Sequence, residues 1–166
     1  MDFKKLIPDF SAFGRTNWGK PCINKNDKNW LIAAGLVVLM LVFVFFPWTS
    51  ISNHGVSISR LGITTWYGVI GLISVAIAAY GVLYEQKQFV FCASVLAIVM
   101  GLIGTLCIAD VSTTINGKTI TATAESVKKA KEAGSSISVG HIGAILFMVA
   151  SAVSAVWSFL QIKNEK

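Results

Sequence analysis

Apolar positions in this chain are gathered into four long runs, at residues 30–48, 64–84, 89–109 and 139–160, and none of the four contains Asp, Glu, Lys or Arg. About 20 apolar residues suffice for a helix to cross roughly 30 Å of hydrocarbon. Each run therefore predicts a transmembrane helix. The strands of a membrane barrel would alternate apolar and polar residues over about ten positions, and these runs do not. Helices satisfy their backbone groups internally, so the pattern predicts an all-α integral membrane protein built as a four-helix bundle. The first run begins after a polar segment and closes on Phe45, Phe46, Pro47 and Trp48, which is unlike a cleaved signal peptide. Residues 1–29 form a basic N-terminal segment, 30–162 the membrane domain, and 163–166 a tail.

The polar stretches between runs carry a second pattern. Residues 49–52 read Thr-Ser-Ile-Ser, 53–55 read Asn-His-Gly, and 56–59 read Val-Ser-Ile-Ser. Alternation on both sides of a Gly-containing turn predicts a β-hairpin with a three-residue connection. Residues 111–115 and 118–122 flank Asn116-Gly117, the favoured pair for a tight hairpin turn because both central residues need positive φ. The two hairpins fall in the loops 49–63 and 110–138, on one side of the bundle, and are expected to pack into a small cap. Thr123 suits the N-cap of a short helix over 124–133, with Gly134 just past its end and Lys128 and Glu132 spaced i,i+4. Each half of the chain thus reads span, hairpin, span, which is consistent with an internal duplication.

Small residues mark where helices approach closely in lipid. The third run carries Ala93, Ala97 and Gly101, followed by Gly104 or Thr105. The second carries Gly68, Gly71, Ser74 and Ala78, and the fourth Gly140, Ala144, Ser151 and Ala155. Of these, Ala93, Ala97, Gly101, Gly68, Gly71, Gly140 and Ala144 are the candidate contact residues, either inside the bundle or toward a partner. The first run turns to bulky Val, Leu, Met and Phe after Gly35, so it should present bulk to lipid or to a partner.

Composition agrees. Hydrophobic residues make up 54% of the chain and charged residues 13%, about half the charge of a soluble domain. Neither a soluble globule nor a disordered chain fits. Nine of the 14 Lys and Arg lie in the N-terminal segment, the 85–88 turn and the tail, and five in the two hairpin-bearing loops. The positive-inside bias then puts both termini in the cytoplasm. The net charge of +6 reads as a topology signal, with no nucleic-acid partner implied. Phe3, Phe10 and Phe13 recur at helical spacing beside Lys4, Lys5 and Arg15, with Trp18 following. That is a membrane-surface anchor pattern, although Pro8 interrupts a continuous helix and docking on a cytoplasmic partner is the alternative.

Candidate chemistry is sparse. The histidines are His54 and His141, and the cysteines are Cys22, Cys92 and Cys107. No C-x-x-C or zinc spacing occurs, His54 in a turn is a poor haem ligand, and no cofactor or metal is expected. Arg60, Asp110 and His141 could meet as an outer polar cluster. The absence of charge within the runs argues against a proton-coupled transporter, a pump or a voltage sensor. No Cys lies in the hairpin loops and no N-x-[ST] acceptor is present, which suits a bacterial inner membrane. Four spans with outer β-structure resemble claudin-like tetraspan proteins in outline. The Trp and paired Cys of the claudin first loop are absent here, so the likeness is one of architecture and carries no function.

These readings point to a non-enzymatic accessory or scaffold subunit of a larger membrane assembly. Its partners would be membrane lipid and either other membrane subunits or further copies of itself. One alternative is a homo-oligomeric channel lined by Ser74, Ser94, Thr105, Ser151 and Ser154. Another is an immunity or envelope regulatory protein acting through its hairpins. A lipid-modifying enzyme using Asp110 and His141 is the least supported.

Overall fold

The structure is a computed structural model and describes residues 27–53, 56–107, 111–115 and 118–164. The candidate anchor residues Phe3 to Trp18, together with Cys22, His54 and Asp110, lie outside the described residues. The chain is mostly helical. In order it forms α1 (Lys28–Val44), strands β1 (Pro47–Asn53) and β2 (Val56–Leu61), a 3-10 turn (Gly62–Thr64), α2 (Trp66–Leu83) and α3 (Lys87–Leu106). It continues through β3 (Val111–Ile115), β4 (Lys118–Ala122), α4 (Ala124–Glu132), β5 (Ser138–Gly140) and α5 (Ile142–Asn164). By length and composition, α2, α3 and α5 are long and apolar enough to cross a membrane. Helix α1 is equally apolar but has 17 residues.

The first apolar run is thus not all helix. It was expected to span through residue 48, yet α1 stops at Val44. Pro47 has no N–H and disfavours helical geometry in the residue before it. The carbonyl that Pro47 would have bonded belongs to Phe43, and the Trp48 indole N–H donates to it instead, at 2.9 Å. Helix α2 starts later than residue 64, at Trp66. There Thr65 is the N-cap, its hydroxyl accepting from the Gly68 N–H at 3.1 Å and donating to the Gly62 carbonyl at 2.7 Å. The fourth run is corrected at its start, because Val139 and Gly140 are strand residues of β5 and the helix begins at Ile142.

The helices close into a ring. Helix α3 packs most extensively on α5 and on α2, while α1 leans on α5 and α2. The second, third and fourth expected spans therefore make the tight part of the bundle, with α1 added at its side. Between α3 and α5 the Ser94 hydroxyl donates to the Ser154 hydroxyl at 2.9 Å, and both residues are fully buried.

One end of the bundle, the sheet end, carries the strands. Strands β1 and β2 form the expected hairpin, with Asn53 paired to Val56, so the connection is two residues rather than three. Strands β3 and β4 pair from Val111↔Ala122 to Ile115↔Lys118, matching the register expected around Asn116-Gly117. The hairpins do not share a sheet. Strand β1 takes β5 as its other neighbour, in the order β2-β1-β5, and β3 only lies close to β1 and β2. Helix α4 covers this region, with Val127 buried against Ile51 and with Ile58, Ala122, Ile137 and Val139 around them. Its start is a capping box between Thr123 and Ser126, and Gly134 past its end has φ +81°. Its ion pair is Glu125–Lys129 rather than Lys128–Glu132.

Candidate functional site

Two places in the bundle hold more than routine packing. At the sheet end stands Trp48, fully buried. Its ring stacks on Tyr67 with centroids 5.7 Å apart and tilts against Phe147 at 5.1 Å. Glycines from four different elements make room for it. A Cβ added at Gly62, Gly104 or Gly143 would run into the indole, and one at Gly71 would touch the ring at 3.5 Å and Phe147 at 3.3 Å. Four glycines thus form a socket for one tryptophan. Among the described residues the phenol of Tyr67, whose ring stacks on the indole, is buried without a partner, and so is the hydroxyl of the neighbouring Thr49. An unsatisfied buried group of this kind costs about 1–3 kcal/mol.

The small residues singled out in the sequence mostly face inward. Ala93, Ala97 and Ala144 are buried, and Gly101 lets α3 approach the backbone of Met148 and Ala144 on α5. Gly71 serves the Trp48 socket. The remaining two are not helix-contact residues. Gly68 clears the carbonyl of Gly62 in the turn that starts α2. Gly140 sits in β5 opposite Ser50, where a Cβ would fall 2.7 Å from the Ser50 hydroxyl. All seven are used within the chain.

Of the expected outer polar cluster, Arg60 binds Thr64, at 3.3 Å to its hydroxyl and 2.9 Å to its carbonyl. His141 places Nδ1 3.1 Å from the Trp48 carbonyl. That carbonyl sits where β1 leaves the socket, so His141 fastens the start of α5 to the strand. The hydroxyls proposed as a channel lining are committed elsewhere. Ser74 donates to the Gly71 carbonyl, Thr105 to Leu102 and Ser151 to Phe147, while Ser94 and Ser154 bond to each other. Among the described residues, no three His, Cys, Asp or Glu side chains converge in a way that could hold a metal.

The opposite end, the turn end, gathers the start of α1, the α2–α3 turn and the end of α5. A cavity of about 180 Å³ opens there, with Asp27, Trp30, Glu85, Lys87 and Trp157 among its walls. Both indole nitrogens, Trp30 Nε1 and Trp157 Nε1, are buried and have no acceptor among the described residues. Glu85 holds φ +55°, a left-handed conformation that non-glycine residues rarely adopt. It is fixed by the tight return between helices, in which the Gln86 N–H donates to the Gly81 carbonyl at 2.7 Å. A shallow apolar groove of about 310 Å³ runs along α5 next to this cavity, lined by Ala152, Val153, Val156, Trp157 and Leu160. Trp157 borders both spaces.

The sequence reading did not single out this cavity. Trp30 and Trp157 lie in the first and last apolar runs, far apart in the chain. Their convergence is long-range, and the available signal was limited to two tryptophans at the same expected depth. Compared with known protein families, curated proteins and solved structures, the chain matches none.

Proposed function

We propose that this chain is a four-span protein of a bacterial inner membrane with both termini cytoplasmic, acting as a non-enzymatic accessory or scaffold subunit of a membrane assembly. One observation carries the membrane part, which is that bulky aliphatic side chains cover the outside of the bundle while many of its inward positions are small. On α5 the buried positions include Ala144, Ala150, Ser151, Ser154, Ala155 and Ser158, while Ile145, Val149, Val153, Val156 and Leu160 are exposed. Helices α2 and α3 repeat the pattern, with Ile73, Ile77, Val95 and Val99 outward and Gly71, Ser74, Ala93 and Ala97 inward. Small inward residues and bulky outward ones suit a solvent as apolar as leucine. In water, this much contiguous apolar surface would aggregate.

Helix α1 spans about 26 Å at 1.5 Å per residue, and 17 residues is the short end of the spanning range. Phe45 and Phe46, both exposed, extend its apolar surface. Along α1, Leu31, Ile32, Val38, Leu39, Leu41 and Val42 also face outward. With its looser packing on the bundle, α1 is the helix best placed to take a neighbouring subunit. The sheet with α4 above it is the second partner surface. The burial of Ser74, Ser94, Ser151 and Ser154 inside the chain favours this reading over a homo-oligomeric channel lined by them.

Purification at native expression levels in a gentle detergent tests the subunit role. Co-migrating chains that are lost when Leu39 and Val42 are replaced by Ala would support it, and a lone monomer would overturn it. Orientation is tested with single cysteines in a background free of the native ones. Ser136→Cys should label from outside intact cells and Asn164→Cys only after permeabilisation; the reverse would overturn the orientation.

A further inference from the structure

The turn-end cavity and the α5 groove have complementary chemistry and share a wall, Trp157. The cavity wall carries two carboxylates, Asp27 and Glu85, the Lys87 ammonium, and the Trp30 and Trp157 side chains, whose buried indole N–H groups have no acceptor among the described residues. The groove that begins at Trp157 is lined by Ala, Val, Leu and the indole itself. A polar, mixed-charge chamber beside an apolar track, with Trp157 bordering both, has the outline of one amphiphile. Its polar end must accept hydrogen bonds from the indoles and also satisfy the carboxylates.

We propose that these two spaces hold a glycerophospholipid with a zwitterionic, amine-bearing headgroup. The proposal rests on the four-span membrane reading, which puts the turn end at a membrane–water interface. The headgroup ammonium would lie toward Asp27 and Glu85. Asp27 accepts from the Asn29 N–H at 2.8 Å through Oδ1, and a carboxylate has further lone pairs to offer. The phosphate and ester oxygens would accept from Trp30 Nε1 and Trp157 Nε1, with Lys87 adding positive charge on the same wall. The first stretch of an acyl chain would follow Val153, Val156 and Leu160. The cavity has room for about six waters at roughly 30 Å³ each, which fits a headgroup and not a whole lipid. An anionic headgroup lacking an amine would bring its charge against two carboxylates with only Lys87 to offset them. The lining therefore selects for the amine.

The test uses the full-length protein in a gentle detergent, with lipid retention read by native mass spectrometry. Phosphatidylethanolamine and phosphatidylglycerol are offered at equal concentration. The expected result is one tightly held phosphatidylethanolamine, preferred over phosphatidylglycerol. In the Trp30→Phe/Trp157→Phe variant, which keeps the rings and removes both N–H donors, retention should fall about tenfold, equivalent to roughly 1.4 kcal/mol. Glu85→Gln keeps both indoles and should shift the preference toward phosphatidylglycerol, so the proposal stays testable if the double variant folds poorly. Equal retention of the two lipids by the native protein, or unchanged selectivity in Glu85→Gln, overturns the site. Flotation of the same protein with liposomes separates the two readings. Protein that floats without lipid selectivity overturns only the site, whereas protein that does not float overturns the membrane reading as well.

Discussion

Gly104→Ala offers a sharp test of the Trp48 socket, because its sign should depend on what occupies position 48. The added Cβ would lie 2.7 Å from Trp48 Cε3, 3.1 Å from Cζ3 and 3.2 Å from the Cβ of Ala144. Carbon pairs prefer about 3.5–4.0 Å, so the indole would have to retreat by close to 1 Å. It has little freedom to do so, since its N–H is bonded to Phe43 and its faces lie against Tyr67 and Phe147. Overpacking of this kind costs about 1–3 kcal/mol, and the constrained ring argues for the upper half of that range. In a Trp48→Leu background most of the obstruction is gone. The intrinsic helix preference for Ala over Gly, up to about 1 kcal/mol, then acts unopposed. Gly104→Ala should therefore destabilise the native protein and be neutral or stabilising beside Trp48→Leu, a coupling of about 2 kcal/mol or more. The assay is thermal unfolding in one detergent at one scan rate, since irreversible unfolding makes Tm depend on rate. For a chain of this size each kcal/mol moves Tm by about 2–4 °C. Gly35→Ala is the control, because Gly35 is in α1 with nothing within 4 Å of the added Cβ, and it should not lower Tm. Equal Gly104→Ala penalties in both backgrounds would refute the socket.

The Ser94–Ser154 bond should appear in a double-mutant cycle as a coupling of about 0.6 kcal/mol, the usual scale for hydrogen bonds between helices in lipid, and strictly additive alanine effects would argue against it. Thr123→Ala removes the α4 cap at a local cost of about 0.5–2 kcal/mol. It should accelerate amide exchange within Ala124–Glu132 while leaving the exchange of α3 and α5 unchanged. Glu125→Gln breaks an ion pair whose side chains are 76% and 72% exposed, and Tm should not move measurably because exposed pairs contribute little. Gly140→Val places side-chain atoms against the Ser50 hydroxyl and should detach β5 from β1, read as loss of protection at Ser50–Ser52 with the helices still folded.

Local signals made much of the architecture legible. Asn116-Gly117 set the β3–β4 register, Thr123 and Gly134 bracketed α4, and the small residues of the third run marked the face that meets α5. What stayed hidden was non-local. Strand β5 is three residues long, and Val139 and Gly140 read naturally as the start of an apolar helix. Only β1, brought back beside them by the fold, makes them a strand. Pro47 did carry a stop signal, but the surrounding Phe and Trp kept the apolar run unbroken and obscured it. The turn-end cavity depends on residues from the start of α1, the α2–α3 turn and the end of α5, which no window along the chain brings together. The socket was half visible, since Gly71 and Gly104 stood in the small-residue stripes, while the side chain they accommodate was assigned to a span end.

Trp48 also explains how a weakly patterned strand keeps its place. Strand β1 is rich in Ser, Thr and Asn, with Ile51 its one large aliphatic side chain, and strands of that kind specify register poorly because a slip of one residue costs little on a polar face. Here a slip would withdraw Trp48 from its socket and present Thr49 or Pro47 to a space shaped for an indole. It would also break the indole bond to Phe43 and the His141 contact at the Trp48 carbonyl. Losing a buried tryptophan from its site costs about 3–5 kcal/mol, several times what a slipped Ser-Thr ladder could recover from cross-strand pairs at about 0.2–1 kcal/mol each. The register of the sheet is therefore dictated from within the helical bundle. This predicts a specific phenotype for Trp48→Ala: the helices persist, while the β1–β2 and β1–β5 pairings lose their unique register together. Exchange protection at Ile51 and Ile58 should collapse before that of α3. If both strands stayed protected in a Trp48→Ala protein, the β-hairpin itself, rather than the socket, would be what sets the register.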